Sequence, residues 1–246
     1  MVQRGWRAAI FVAALTTASA CRSSRADVDT VAASTVGKAS TPAGQGSARS
    51  APAATHSSHQ VLFIGTSLTA GLGLSPDSAY PQLIQQKVDA AHLPFEVVNA
   101  GVSGETTAGL LRRLDWLLRG SYEVIFVETG ANDGLRGTPV ATVRENLRTI
   151  LSRIHSTQPN ARLLVVQMEA PPNLGPEYTK AFHAMYPELA KEQGATLVPF
   201  LLNGVAGDEK LNQADGIHPN QRGEHIVADN VWRSLEPVLR SLSSRA

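Results

Sequence analysis

The chain has 246 residues, of which 43% are hydrophobic and 17% charged, an ordinary globular composition with room for one good-sized core. Its formal net charge of +1 gives no electrostatic case for binding nucleic acid or for a polybasic contact with a membrane surface. A single cysteine cannot form an internal disulfide, so the fold must rest on packing.

Residues 1–20 are predicted to be a signal peptide. A basic start, "MVQRGWR", precedes the apolar stretch "AAIFVAALTTA", which is too short for a comfortable membrane span. Cys21 follows the small residues "ASA" and resembles the lipobox cysteine of bacterial lipoproteins, although that family usually has Leu where Ala18 stands. The resemblance implies a lipidated Cys21, anchored in the cell envelope and facing the periplasm or the exterior. The alternative is a soluble periplasmic or secreted protein, cleaved after Ala20 or Ala26.

Residues 21–59 are predicted to be the lipidated cysteine and a disordered tether. From Arg22 to His59 the sequence consists mainly of Ser, Ala, Thr, Gly and Pro, with three isolated valines and no Leu, Ile, Met, Phe, Tyr or Trp. Such a segment cannot bury enough apolar surface to offset the entropy lost on ordering. It would hold a domain clear of the membrane, and that domain is expected over residues 60–242.

From residue 60 onward, short apolar runs alternate with segments of helical periodicity. Five runs are predicted to be buried strands: "VLFIG", "FEVVNAG", "EVIFVETG", "RLLVVQM" and "TLVPF". Two other segments place apolar residues on one helix face: Val143, Leu147, Ile150, Leu151 and Ile154, and then Val227, Val231, Leu235 and Leu239. Apolar strands separated by helices indicate one doubly wound α/β domain, whose parallel sheet is covered on both faces.

Polar, glycine-rich segments follow the predicted strands, where ligands of open parallel sheets bind. "GTSLTAG" follows the first strand, "NAGVSGET" the second and "GANDGLRG" the third, and "DGIHP" lies near the end of the chain. Each segment also has a purely structural explanation. Gly101 could allow a tight turn, Asn132 and Asp133 could cap a helix, and Asp215 and His218 could form a surface turn with a solvated imidazole.

Taken together, these segments contain the groups that acyl transfer needs. Ser67 supplies a hydroxyl, and His218 can accept its proton. Asp215, three residues before His218, can reach Nδ1 of the imidazole and leave Nε2 to face Ser67. The backbone N–H groups of Ser67 and Gly101 and the side-chain amide of Asn132 could donate hydrogen bonds to the oxyanion of a tetrahedral intermediate.

In this order and context, Ser67, Gly101, Asn132 and His218 resemble the four blocks of the SGNH hydrolases, the GDSL esterase–lipase family. The similarity covers nearly all of residues 60–241. It extends to the subgroup of periplasmic arylesterases and acyl-CoA thioesterase/lysophospholipases in "NAGVSGETTAGLLRRLDWLL", "PPNLGPEYT" and "LVPFLLNGVAGD". The resemblance implies a flavodoxin-like three-layer αβα sandwich, with a five-stranded parallel sheet in the order 2-1-3-4-5. It also implies that the protein uses no metal and no organic cofactor.

Carried over residue by residue, the resemblance gives each group a role. Ser67 is the nucleophile, His218 the base and Asp215 the residue that orients it, and Ser67, Gly101 and Asn132 form the oxyanion hole. The implied reaction is hydrolysis of short-to-medium acyl esters, thioesters or lysophospholipids through an acyl-enzyme on Ser67.

One position departs from the family pattern, and other functions stay open. Thr66 stands where the family usually has Asp, in Gly-Asp-Ser-Leu, and would shape the turn without a charge. A carbohydrate O-deacetylase of the same superfamily is an alternative activity. A flavin-binding protein of the same fold would leave "GAND" and "DGIHP" without a purpose. A non-catalytic envelope protein would not need Ser67, Asp215 and His218 together. The sequence does not fix an oligomeric state.

Overall fold

The computed structural model describes residues 59–244, so the predicted signal peptide, Cys21 and all but the last residue of the tether lie outside the described residues. The five strands are β1 (Gln60–Gly65), β2 (Glu96–Gly101), β3 (Val124–Val127), β4 (Arg162–Val166) and β5 (Thr196–Val198). The α-helices are α1 (Ser67–Ala70), α2 (Tyr80–Ala90), α3 (Thr107–Leu117), α4 (Ala131–Leu135), α5 (Val140–Thr157), α6 (Pro176–Glu192) and α7 (Gln221–Ser243).

The strands form one parallel sheet in the order β2-β1-β3-β4-β5. This confirms the predicted fold class and strand order. After β1 the chain moves outward to β2 and then returns across β1 to β3, so the strand order reverses beside β1. In open α/β sheets the crevice at such a reversal is where ligands bind.

Helices cover both faces of the sheet. On one face α2 packs against α7, and on the other α3 packs against α5, which in turn packs against α6. The two predicted helix faces are buried in α5 and α7, and each fully buried Val, Leu or Ile stabilises the fold by about 1.5–3 kcal/mol. No helix between residues 59 and 244 combines the length and the apolarity that crossing a membrane requires.

The core centres on β1 and β3, the second and third strands in the order of the sheet. β1 is buried from Val61 onward and β3 along its whole length. Phe63 and Phe126, on these neighbouring strands, have ring centroids 4.7 Å apart, and Tyr80 of α2 packs against both rings. β2 is half-exposed, because it is an edge strand of the sheet, next to β1.

The strand register brings three loops to the same edge of the sheet. Gly65 at the end of β1 is level with Gly101 at the end of β2, and Ile64 is level with Val127 at the end of β3. The segments that follow these strands therefore leave the sheet side by side. Each contains residues for which the sequence predicts a role in chemistry.

Candidate active site

Ser67, His218 and Asp215 form a continuous hydrogen-bonded series. Ser67 follows β1 after one residue and is the first residue of α1, with 7% of its surface exposed. Its Oγ lies 2.8 Å from Nε2 of His218. Nδ1 of the same imidazole lies 2.6 Å from Oδ2 of Asp215. A base therefore sits between a hydroxyl and the carboxylate that fixes its tautomer, as the sequence predicts.

Side chains within the loop that carries His218 hold it through hydrogen bonds to backbone groups. Oδ1 of Asp215 accepts the N–H groups of Ile217 and His218, at 2.9 and 3.0 Å. Gln213 closes the loop, because its N–H donates to the His218 carbonyl and its side-chain amide donates to the carbonyls of Leu72 and Pro219. The contact with Leu72 ties the loop to the segment that follows the nucleophile.

These hydrogen bonds also set the charge of Asp215. Partial desolvation acts to raise the pKa of its carboxyl, but hydrogen bonds from the Ile217 N–H, the His218 ring and the His218 N–H outweigh it, and the pKa is lowered. Asp215 is therefore ionised at neutral pH, which is the form that accepts the Nδ1–H of His218.

Ser67 and Asn132 each have an N–H group that could donate to a substrate. The Ser67 N–H is at the first position of α1, so it has no acceptor within that helix. Asn132 is the second residue of α4, and its Nδ2 donates one hydrogen bond to the carbonyl of Glu105 at 3.0 Å. A side-chain amide has two N–H groups, so a second remains to be donated.

Gly101 does not have the role that the sequence analysis gave it. Its N–H donates to Oδ1 of Asn99 at 2.9 Å, so it is not free for an oxyanion. A Cβ at this position would lie 2.4 Å from the backbone N of Ala70. Glycine is needed here because the end of β2 passes directly against α1.

Gly104, three residues further on, is the better-placed glycine. It has φ = +77°, a left-handed conformation that favours glycine. Its carbonyl accepts a hydrogen bond from Arg136 of the α4 segment, and the next carbonyl, that of Glu105, accepts from Asn132. The Glu105–Thr106 peptide therefore lies beside Asn132, and the Gly104 carbonyl lies beside Arg136. The second glycine of "NAGVSGET" was the available signal, but a sequence does not show which of the two has φ > 0.

The loop that carries Gly104 is anchored at both ends. Arg113 of α3 pairs with Glu105 through two hydrogen bonds of 2.6 Å and donates a third to the carbonyl of Ala100. Asp133, next to Asn132, accepts both the N–H and the hydroxyl of Thr107. Bidentate and charge-assisted bonds are the stronger kinds, so the loop and α4 are held in register with each other.

Glu128 is a site residue that the sequence analysis missed. It is the first residue after β3 and has none of its surface exposed. Its carboxylate accepts the N–H and the hydroxyl of Thr66 and the hydroxyl of Thr69. Burial raises the pKa of Glu128, and these hydrogen bonds oppose the rise. The available signal was an acid inside the otherwise apolar run "VIFVETG".

Exposed apolar side chains surround this edge of the sheet. Large hydrophobic residues at least 44% exposed stand at Leu72, Val102, Leu135 and Ile217, each close in sequence to a site residue. Trp116, on α3, is also exposed and lines a cavity together with Gly101 and Val102. Among residues 59–244, no group of three His, Cys, Asp or Glu side chains could hold a metal ion.

A serine, an imidazole and a carboxylate in this arrangement, at the carboxyl edge of a parallel sheet, define a serine hydrolase. The family follows from comparison with known proteins. Residues 63–226 match the sequence model of the GDSL-like Lipase/Acylhydrolase family. The chain belongs to that family, which confirms the resemblance found in the sequence.

Two similar proteins support this family assignment. Esterase TesA of Pseudomonas aeruginosa is 37% identical over 180 residues, which cover 73% of this chain and 89% of TesA. Thioesterase 1/protease 1/lysophospholipase L1 of Escherichia coli is 38% identical over 180 residues, covering 73% of this chain and 84% of the relative.

A solved structure extends the likeness to three dimensions. The psychrotrophic esterase EstA from Pseudoalteromonas sp., in a crystal structure inhibited by monoethylphosphonate, matches with a TM-score of 0.70 at 34% identity. The match covers 74% of this chain and 99% of EstA. The chain is an ester hydrolase of the type that uses a Ser-His-Asp triad, and the predicted class of activity is confirmed.

Proposed function

We propose that the protein hydrolyses short-to-medium acyl esters, thioesters or lysophospholipids through an acyl-enzyme on Ser67. The hydrogen-bonded series from Ser67 through His218 to Asp215 carries this proposal. His218 Nε2 accepts the Oγ proton as Oγ attacks the acyl carbonyl carbon. The same proton then passes to the departing alcohol or thiol. Water attacks the acyl-enzyme with His218 again as base, which releases the acid and restores Ser67.

The oxyanion of each tetrahedral intermediate needs preorganised donors. We assign the Ser67 N–H and the free amide N–H of Asn132, and the Gly104 N–H in place of that of Gly101. Gly104 is supported by the hydrogen bond from Asn132 to the carbonyl of the next residue, Glu105, and by the acceptor that already occupies the Gly101 N–H. The proposed chemistry assigns no step to a metal or an organic cofactor.

The apolar side chains around the site support an acyl substrate. Contact with an acyl chain would remove the exposed surface of Leu135 and Ile217 from water, which stabilises the complex by roughly 25 cal/mol per Å² of buried apolar area. Longer chains within the short-to-medium range should therefore bind better.

A series of p-nitrophenyl esters from acetate to palmitate, with a palmitoyl thioester alongside, tests the activity and its chain-length range. We expect turnover that rises from acetate toward medium chains, is unchanged by a chelator, and is absent from Ser67→Ala. Ile217→Ser should lower kcat/KM for the octanoate more than for the acetate. Val238→Ser is the control, because Val238 lies beside the starts of β4 and β5, at the opposite edge of the sheet. Loss of activity in chelator, restored by a divalent ion, would contradict the mechanism.

We also propose that Cys21 carries a lipid and that the protein is exported to the cell envelope. The support is sequence only: Cys21 follows "ASA" and precedes a segment without core-forming residues. Labelled palmitate fed to producing cells should enter the wild type and not Cys21→Ser. Equal labelling of both proteins would refute lipidation at Cys21.

A further inference from the structure

We propose that Glu128 is the positioning residue of the nucleophile. The inference rests on the proposed role of Ser67. Glu128, the first residue after β3, would fix the turn between β1 and α1. Glu128 does not touch the reacting atoms. It acts through the residues on either side of Ser67.

The contacts of Glu128 span the nucleophile. Before Ser67, Thr66 donates its N–H to Oε2 at 2.8 Å and directs its hydroxyl to both carboxylate oxygens at 3.0 Å. After Ser67, the hydroxyl of Thr69 donates to Oε2 at 2.9 Å. One rigid acceptor thus holds the residue that precedes Ser67 and the residue two positions after it.

The described residues around this carboxylate leave space for it and provide no cation as a partner. A Cβ at Gly65 would lie 2.7 Å from Oε2 of Glu128 and 1.9 Å from Oγ1 of Thr69, so only glycine fits beneath the turn. Within residues 59–244, no Lys or Arg forms an ion pair with Glu128. A fully buried acid without a cation destabilises a fold unless its hydrogen bonds are satisfied. Here they are satisfied by the nucleophile's own turn.

Thr66 is suited to this partner. Its hydroxyl is a donor, whereas an ionised Asp at that position would place a second acceptor and a second negative charge against Glu128. The departure from the family pattern therefore leaves one carboxylate and three donor groups in the turn. Tyr80 completes the set, since its hydroxyl lies 2.7 Å from that of Thr69 and links the turn to α2.

Positioning of this kind affects the rate more than substrate binding. The turn sets the direction of the Ser67 N–H toward the oxyanion and of Oγ toward His218. A displacement of about 1 Å in such groups lowers a rate about 10²-fold. Substrate binding, which depends on the exposed apolar residues, should change little.

Glu128→Ala and Glu128→Gln test the proposal together. In Glu128→Gln an amide oxygen at the position of Oε2 can still accept the Thr66 N–H and the Thr69 hydroxyl, while the Thr66 hydroxyl can turn to accept from the NH₂. We expect kcat of Glu128→Ala to fall about 10²-fold with KM within about threefold of the wild type. Glu128→Gln should lose at most about tenfold, which is rescue by the conservative variant.

A second readout separates positioning from loss of structure. Affinity for a trifluoromethyl ketone, which forms a tetrahedral adduct on the nucleophile, should fall in Glu128→Ala by the same factor as kcat/KM. Glu224→Ala is the matched control. Glu224 is also a buried acid and accepts a backbone N–H, that of Tyr80, but makes no hydrogen bond to the nucleophile's turn. Its variant should keep the wild-type kcat in the folded protein.

The double variant Thr66→Val/Thr69→Val keeps the proposal testable if Glu128→Ala does not fold. It removes the hydroxyl donors, keeps the Thr66 N–H bond and preserves side-chain volume. Its kcat should fall about tenfold, at wild-type KM. Wild-type kcat and ketone affinity in folded Glu128→Ala, or in the double variant where the first does not fold, would overturn the positioning role. If Ser67→Ala were fully active, the proposed function itself would fail.

Discussion

At the scale of single residues, the site separates groups that react from groups that hold them. In the proposed mechanism Ser67 and His218, 2.8 Å apart, exchange a proton, so neither should act without the other. The double variant Ser67→Ala/His218→Ala should therefore be little slower than either single variant. Asn132 differs, because it contributes one hydrogen bond among several.

Asn132→Ala should lower kcat about 10²- to 10³-fold, because one oxyanion donor is worth about 2.7–4 kcal/mol in the transition state. KM should change little, since the negative charge develops only after binding. Steady-state kinetics on a p-nitrophenyl ester measure both values. Asn230→Ala is the control: its amide donates to the carbonyls of Leu201 and Asn203, away from the site. Equal losses in the two variants would remove Asn132 from the oxyanion hole.

At the scale of elements, the residues proposed to react lie on short segments between the strands and the long helices. The loop before α7 carries His218, and Asp215 stabilises this loop by accepting two of its N–H groups. Asn220 caps α7 by accepting the N–H groups of Arg222 and Gly223. α4 presents Asn132, and α1 presents Ser67. None of these segments depends on a long unsupported loop.

Asp215→Asn should lower kcat about 10³- to 10⁴-fold. Its NH₂ would face Nδ1 of His218, so the ring would carry its proton on Nε2 and could not accept from Ser67. The matched control is Asp208→Asn, because Asp208 accepts the Lys210 N–H in a nearby turn and does not touch the imidazole. The test is the kcat of both variants, each measured per mole of folded protein. A fall of less than tenfold in Asp215→Asn would mean that water orients the ring.

Much of this arrangement could be predicted from the sequence, because it depends on patterns within single strands, helices and loops. Buried strands are apolar at nearly every position, and α5 and α7 bury one stripe each, so their patterns are local. Ser67, Asn132, Asp215 and His218 follow strands or precede a helix, which fixes their edge of the sheet.

What could not be predicted depends on contacts across strands. The Gly101 N–H is occupied because it donates to the Asn99 side chain, and Gly104 has the left-handed φ of +77°. Glu128 finds its partners on another strand's loop, 62 residues earlier in the chain. Spacing in a sequence contains no information on such pairs.

At the scale of the whole molecule, buried acids make stability depend on pH. Glu224 of α7 is 1% exposed, and burial raises its pKa from 4.5 to about 8, although the Tyr80 N–H opposes the rise. Between these values the folded chain holds the proton and the unfolded chain does not. The free energy of unfolding therefore falls as pH rises from about 4.5 to about 8, by an amount on the order of 5 kcal/mol at most.

Glu224→Gln should remove this dependence. The variant should have nearly the stability of the wild type at pH 5 and exceed it at pH 8 by several kcal/mol, measured by urea unfolding at each pH. Glu236→Gln, on the same helix and paired with Arg240 at the surface, should show no such change with pH. A Glu224→Gln difference that is the same at pH 5 and pH 8 would show that Glu224 does not hold its proton in the folded state.

The central claim is that Ser67 is the nucleophile. A fluorophosphonate ester tests it most directly, because attack by Oγ on phosphorus expels fluoride and leaves a stable adduct at the attacking residue. Peptide mass mapping should find one phosphonyl group per chain, on Ser67, forming in step with the loss of esterase activity. His218→Ala should react far more slowly, since Oγ then lacks its base. Activity lost with the adduct on another residue, or activity kept with Ser67 fully modified, would contradict the account.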